Sequence, residues 1–353
     1  MNLKNSARPL ALKASATSAV AVAATPPTSA RWRMDSPQAS DAAFIVTAST
    51  CAIGIDVGGT KLAAGVVEFP EGKILARRLQ ATAPERGGEA VLLDVLALAG
   101  SLRAEAIQLA KSPIAIGLAV AELVSRAGEI VSDATIRWKG LPVRERLQKI
   151  LPTRIEADVR AAALAEARFG IGRSFQDFIF VTVGTGISSC LVLGGQPFPG
   201  ARGLTGTMAS SPSVVADLQG SLVIGPPLEN VASGPALVAR LKRMQPDFTG
   251  GAPEVLALAE DGDKTARIIV ESAGRALGAA IGQLVNTLDP EAVVIGGGLG
   301  LAGGLFWQTL EVATREHIWS PLHRNLRVLP AQSGVDAGWL GAALAAAEIA
   351  AAD

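Results

Sequence analysis

The chain has 353 residues, 49% hydrophobic and 18% charged, with 38 glycines and 20 prolines; that length exceeds one comfortable hydrophobic core and favours one large or two modest domains. Its 32 basic and 32 acidic residues cancel, which argues against nucleic acid as a partner because a dedicated binder depends on a basic excess. Two cysteines, Cys51 and Cys190, and two histidines, His317 and His323, exclude a disulfide framework and a cysteine-rich structural zinc site. No run of about 18 uncharged apolar residues suggests a membrane span, and the composition reads as a cytoplasmic α/β protein.

Residues 1–33 carry lysines and arginines but no acid, and are rich in Ala, Ser, Thr and Pro. Such a start suits a transit peptide, a disordered tail, or an over-long start with Met34 as the natural initiator. We therefore expect a tail over residues 1–48 and structure from Ala52. Ile53 to Val57 reads as a buried strand, Lys61 to Val67 as its hairpin partner, and Lys73 to Gln80 as a third strand. Gly88 to Lys111 has helical periodicity, and Ile114 to Val120 is again a strand. Leu141 to Leu151 and Val159 to Phe169 read as helices around a short strand, Arg154 to Glu156. Phe178 to Val183 and Ile187 to Leu193 form a second hairpin around Gly184 and Gly186. Lys264 to Leu288 is the longest amphipathic segment, with Ile269, Ala273, Leu277, Ala280 and Leu284 on one stripe. Ala292 to Ile295 is a strand running into Gly296-Gly297-Gly298, with a helix expected beyond. No short-period repeat is visible. Alternating strands and helices with two hairpins predict two α/β lobes with mixed sheets.

The chemistry concentrates in three glycine-bearing turns and one aspartate. In Asp56-Val57-Gly58-Gly59-Thr60-Lys61, paired glycines after a strand let backbone N–H groups approach a phosphate closely. Thr60 can donate to a phosphate oxygen, and Asp56 can hold Mg²⁺ through water, as hard oxygen ligands do. Taken alone, the diglycine reads more simply as a plain hairpin turn. Thr182-Val183-Gly184-Thr185-Gly186-Ile187 repeats the same logic, so the two turns suggest opposed jaws around a polyphosphate. Gly296-Gly297-Gly298 follows a buried strand and offers side-chain-free backbone to a flat adenosine, or simply a tight turn. No G-x-x-x-x-G-K-[ST] occurs, and no G-x-G-x-x-G opens a helix ahead of an acidic residue.

Gly54-Ile55-Asp56-Val57-Gly58-Gly59-Thr60-Lys61 resembles the first phosphate motif of the ROK family of bacterial sugar kinases and sugar-responsive repressors. Glu156 to Glu166 is similar to the family's segment around its catalytic aspartate, with Asp158 in that place. Val183 to Ile187 resembles the second phosphate motif, Asn286 to Gly298 the adenosine segment, and Gly341-Ala342-Ala343 the closing helix. The resemblance runs in order from about residue 52 to residue 349. It implies a two-lobed, actin-like ATPase fold of ribonuclease H-like type, with the active site in the interlobe cleft. The expected lobes are residues 49–160, completed by a C-terminal helix over 335–353, and residues 161–334. It also implies ATP with Mg²⁺, bound through Asp56, Gly58, Gly59, Thr60, Lys61, Gly184, Thr185, Gly186, Gly296, Gly297 and Gly298. A homodimer is implied as well.

The departures bear on the acceptor. Ala157 precedes Asp158 where the family usually has asparagine. Thr207 and Ser210 stand where the family has a glutamate and a histidine facing the anomeric end of the sugar. The family's zinc-binding cysteines are absent, with Ser211 to Pro227 in their place, so no zinc is expected. Glu229 keeps the family's second sugar-contacting glutamate, and Glu122 stands where glycine is usual.

Asp158 is the candidate general base for the acceptor hydroxyl, although its position before a helical run also suits an N-cap. Glu229 is a candidate acceptor ligand or a first-turn acid favoured by the helix dipole, and Thr207 is the third candidate acceptor residue. Trp138 reads as packing, Glu166 as a solvated helix residue, and His317 and His323 as surface residues. The leading expectation is an ATP-dependent kinase acting on the primary hydroxyl of a hexose or hexose-like polyol, a sugar or a C7 cyclitol. The alternatives are a non-catalytic sugar-responsive regulator and a degenerate kinase, with polyphosphate as a further donor left open. The repressors carry an N-terminal winged helix, whereas the leading segment here lacks helical periodicity.

Overall fold

The computed structural model describes residues 50–351, so the expected tail over 1–48 lies outside the described residues. The first five strands are β1 (Thr50–Val57), β2 (Lys61–Phe69), β3 (Lys73–Ala81), β4 (Pro113–Val120) and β5 (Thr153–Ala157), interrupted by helices α1 (Gly88–Gln108) and α2 (Val143–Gln148). They form one sheet in the order β3-β2-β1-β4-β5. The hairpin strands β1, β2 and β3 pair antiparallel, whereas β4 and β5 join parallel to β1. β1 and β4 are apolar almost throughout because both of their faces are covered. On one face α1 contributes Val91, Leu92, Val95, Ala99 and Leu102. On the other lies the last helix, α9 (Ala337–Ala350).

The second half starts with α3 (Asp158–Phe169), then β6 (Phe178–Val183), β7 (Ile187–Leu193), β8 (Gln196–Pro197), β9 (Pro212–Ala216) and β10 (Leu222–Pro227). Helices α4 (Glu229–Ala232), α5 (Gly234–Met244), α6 (Ala252–Glu260) and α7 (Lys264–Leu288) follow, then β11 (Ala292–Gly296), α8 (Gly304–Glu316), β12 (Arg327–Pro330) and α9 (Ala337–Ala350). The second sheet has the order β12-β11-β6-β7-β8. It again joins an antiparallel meander, β6-β7-β8, to two parallel strands. The two sheets therefore repeat one topology, with α3 following β5 as α9 follows β12. This repeat lies in strand order rather than in residue identity, and reading for short periods does not reveal it.

Each sheet carries its own core. In the second, Ile269, Ala273, Leu277 and Ile281 of α7 pack with Phe306 and Leu310 of α8 against Val181, Val293 and Ile295. On its other face Val159 and Ala163 of α3 meet Phe178, Phe180 and Cys190. Burial pushes the Cys190 thiol up to about 12, so it acts as a small apolar side chain. Among the described residues α7 is the one helix long and apolar enough to cross a membrane, and half of its apolar window is buried in the fold. The alanine- and glycine-rich α9 lies unusually close to the first sheet. A Cβ on Gly117 of β4 would sit 1.8 Å from the Ala342 carbonyl oxygen, so only glycine permits this contact.

The expected helix over Leu141 to Leu151 shrinks to six residues, since Pro142 precedes it and Pro152 follows. The helix expected directly after Gly298 starts only at Gly304. Ser211 to Pro227 folds as the β9–β10 hairpin, with Val214, Val215, Leu222, Val223 and Ile224 exposed.

Candidate active site

The first glycine turn links β1 to β2. Its Gly58 N–H donates to the Lys61 carbonyl (3.0 Å), and the buried Thr82, just after β3, fastens it from outside. The Thr82 hydroxyl donates to the Gly58 carbonyl (2.7 Å), and its N–H donates to the Thr60 carbonyl (3.1 Å). A buried hydroxyl bonded to a turn residue 24 positions earlier in the chain leaves no local sequence signal, so the sequence reading missed it. Thr60 and Lys61 are exposed, free to face a ligand.

Three carboxylates stand near this turn. Asp56, the penultimate residue of β1, has its Oδ1 closed off from solvent with no hydrogen-bond partner. Burial first, and the charge of Asp158 second, push its carboxyl up to about 8. The other oxygen lies against the first turn of α9, where a Cβ on Gly338 would come within 2.2 Å of Oδ2. Asp158 is the first residue of α3, and Ala157 occupies the N-cap position, so the N-cap role is corrected. Asp158 Oδ1 accepts the Val159 N–H (2.7 Å). Burial nevertheless pushes its carboxyl up to about 6; the Val159 N–H and the Arg160 charge oppose the shift, and the Glu122 charge adds to it.

Glu122 explains itself through its partners. Its buried carboxylate accepts the Ser132 hydroxyl and the N–H groups of Ala134 (2.9 Å), Thr135 (2.6 Å) and Ile136 (2.8 Å). Burial alone would raise its pKa, but these four donors hold it below the ordinary value. The segment so anchored rests on the phosphate turn, where a Cβ on Gly59 would meet Thr135 Cγ2 at 2.9 Å. It leads to Trp138, fully buried with its indole N–H on the Gly88 carbonyl (2.7 Å), in keeping with packing.

The second and third glycine turns adjoin one another on the second sheet. Gly184 accepts the Gly234 N–H (2.9 Å), while the Val183 carbonyl accepts the N–H groups of Leu299 (3.0 Å) and Gly300 (3.1 Å). This fastens the segment after β11 to the β6–β7 turn, and Gly297 completes the bend at φ 82°. Glu229 opens α4 with its Oε2 accepting the Ile187 N–H (2.9 Å). Its own N–H donates to the Ala209 carbonyl (3.1 Å), and Ser210 donates to the Thr207 carbonyl (3.1 Å). The exposed Thr207 thus belongs to the same local assembly as Glu229. The predicted residues fall into two sets: Asp56, Asp158 and the first turn by the first sheet, and Glu229, Thr207 and the other two turns by the second.

The family model of the ROK family matches residues 52–349. The chain belongs to the ROK family. It is 32% identical over 305 residues to the bifunctional enzyme NanE/NanK of Brucella melitensis, covering 84% of this chain but only 54%, about half, of that protein. It is 30% identical over 316 residues to a glucokinase of Streptomyces coelicolor, covering 82% of this chain and 96% of that one. Among solved structures, the ROK family glucokinase from Streptomyces griseus in complex with glucose and AMPPNP superposes with a TM-score of 0.70 at 27% identity, covering 84% of this chain and 99% of that one. The fold is accordingly the actin-like ATPase fold of the ROK kinases.

Several ROK positions differ from their sequence reading. Glu166 is fully buried rather than solvated: its carboxylate accepts the N–H groups of Ile171 (3.1 Å) and Ser333 (2.5 Å), tying α3 to the loop before α9. His317 is exposed as expected, while His323 is half-buried and pairs through Nε2 with Asp289 (2.8 Å). Arg160, which the sequence reading passed over, is almost fully buried. Its guanidinium bonds Glu156 (2.5 Å), the Gly203 carbonyl (2.5 Å) and the Val124 carbonyl (2.8 Å). It thereby holds the start of α3 against segments from both halves. Among the described residues no group of three or more His, Cys, Asp or Glu side chains is placed to hold a metal ion.

Proposed function

We propose that this ROK chain is an ATP-dependent kinase that phosphorylates the primary hydroxyl of a hexose or hexose-like polyol. The observation that carries the reading is Asp158, a half-buried carboxylate raised to about 6 and placed beside Asp56 and the anchored Glu122 segment. A base with that pKa is ionised at neutral pH yet basic enough to take a hydroxyl proton. In the proposed reaction the acceptor oxygen forms its bond to the γ-phosphorus as the bond to the ADP oxygen breaks, and Asp158 takes the proton. The glycine turns at Gly58 and Gly184 orient the phosphates, and Gly296 to Gly298 border the adenosine.

The orphaned Oδ1 of Asp56 fits a hard cation, so Asp56 is the residue that would hold Mg²⁺. The bound ion would neutralise charge on the phosphates. Residues 49–160 with 335–353, and residues 161–334, serve as the two lobes in this reading, and the assembly is a homodimer.

Acceptor choice follows from Glu229 and Thr207. Glu229 spends Oε2 on the Ile187 N–H, leaving Oε1 for an acceptor hydroxyl. Thr207 cannot replace the charged, two-hydroxyl contact of a glutamate, and each such contact is worth about 1.5–3 kcal/mol. The acceptor should therefore keep a glucose-like primary hydroxyl but differ around the positions equivalent to C1 and C2, as a carbocyclic cyclitol or a modified aminosugar does. A coupled ADP-release assay over sugars, aminosugars and cyclitols, with ATP or polyphosphate as donor, tests this. Turnover of a cyclitol or aminosugar above glucose is expected; plain glucose as the best acceptor, with a micromolar KM, would contradict it. No ADP release with any acceptor in the panel would favour the non-catalytic sugar-responsive regulator.

Two variants probe the supporting residues. Gly338→Ala forces Asp56 aside, and a displacement near 1 Å at the reacting centre should cost roughly 10- to 10²-fold in kcat; unchanged turnover would free Asp56 from its role. Glu122→Gln removes the charge that gathers three N–H groups and one hydroxyl. A fall in melting temperature of roughly 5 °C is expected, with a raised acceptor KM; wild-type values for both would make the anchor redundant.

A further inference from the structure

A cavity of about 520 Å³ opens between β5, β8, α2 and α9, and its lining includes none of Asp56, Asp158, Glu229 or the three glycine turns. Four arginines, Arg126, Arg144, Arg154 and Arg160, line it together with two acidic residues, Glu156 and Glu348. In a chain of zero net charge this is a local excess of positive charge.

The partners already present decide which of these charges remain available. Glu156 is taken by the buried Arg160 at 2.5 Å, and Glu348 is bonded to Arg168 at 3.1 Å. Arg154 reaches only the second oxygen of Glu156, at 3.2 Å, and its Nε is buried with no hydrogen-bond partner. Arg144 bonds a neutral group, the Ala127 carbonyl, at 2.5 Å. Arg126 is exposed, and its side chain bonds no other described residue. Arg126 and Arg144 thus line the space without a carboxylate partner, and Arg154 shares the single carboxylate of Glu156 with Arg160. Guanidinium groups match carboxylate and phosphate oxygens in planar, bidentate fashion. The remaining wall mixes the polar Ser125, Gln148, Thr153 and Gln196 with the apolar Ile155 of β5, Pro197 of β8 and Ile349 of α9, which suits a short carbon skeleton carrying polar groups.

We propose that this cavity binds a small organic dianion, a phosphomonoester or a dicarboxylate, apart from the phosphate turns. The wall contains strands from both sheets, and Glu156 and Arg160 lie two residues to either side of Asp158. An occupant would hold the β5–α3 junction against β8.

Isothermal titration of the full chain, saturated with AMPPNP to fill the nucleotide site, tests the proposal with inorganic phosphate, a hexose 6-phosphate and glutarate as probes. At least one probe should bind at one site per chain. Arg126→Ala should weaken it about ten-fold or more, the loss of one charge-assisted contact, without changing kcat. Arg154→Gln should weaken it likewise, and stronger binding of the phosphoester or of the dicarboxylate identifies which anion chemistry the site prefers. No binding of any probe up to about 10 mM, or binding that both variants leave unchanged, would overturn the proposal. Because the readout is binding, the result is independent of whether the chain proves to be a kinase.

Discussion

Asp158→Asn should lower kcat by roughly 10²–10⁴, the usual worth of a positioned base, while the fold and nucleotide binding persist. Asparagine has the same size, and its amide oxygen can still accept the Val159 N–H that the carboxylate accepts at 2.7 Å. Only the capacity to take a proton is lost. The wild-type pH profile should show the same group: kcat/KM falls about ten-fold per unit below a pH near 6 as Asp158 is protonated. The sign for stability is opposite. The folded pKa lies above the ordinary 3.8, so the stability contributed by this group is fully present below about pH 4 and is lost as pH rises through about 6. The ionised base that turnover needs is therefore the less stable form, and Asp158→Asn should melt no lower than wild type at pH 8. A variant that melts lower and turns over normally would make Asp158 merely a helix-start residue.

Asp56→Asn should cost roughly 10³-fold in kcat, since cation-borne charge neutralisation is worth several kcal/mol. Its Oδ1 is the buried oxygen near the first turn that lacks a partner, and an amide supplies no charge for Mg²⁺. Mg²⁺ with AMPPNP should raise the melting temperature of the wild type more than that of the variant. Equal shifts would remove Asp56 from cation binding.

The parts of this arrangement that were legible in the sequence are local. Phe178–Val183, Ile187–Leu193 and Lys264–Leu288 emerge with the expected bounds because period and flanking glycines act within one element. The glycine turns and Asp158 stood out for the same reason, and the resemblance ordered them along the chain. What stayed hidden depends on residues far apart in sequence. Thr82 fastens Gly58, Gly338 confines Asp56, and Glu166 reaches Ser333 across 167 positions. Glu166 read as solvated because its helix neighbours are unremarkable, and only the approach of the loop before α9 buries it. The paired topology of the two sheets was likewise invisible, since strand order is a property of the folded chain and not of any window. Glu122 stood out only as a departure; the four donors that justify it come from residues 132–136, which carry no pattern of their own.

The most direct test of the central claim is the position and rate of phosphoryl transfer. Product made from ATP and the best acceptor of the panel should be examined by ³¹P–¹H correlation NMR, for the wild type and for Asp158→Asn. The account predicts a single phosphate on the primary hydroxyl, formed at least roughly 10²-fold more slowly by the variant. A phosphate on a ring hydroxyl, or equal rates from both proteins, would contradict it.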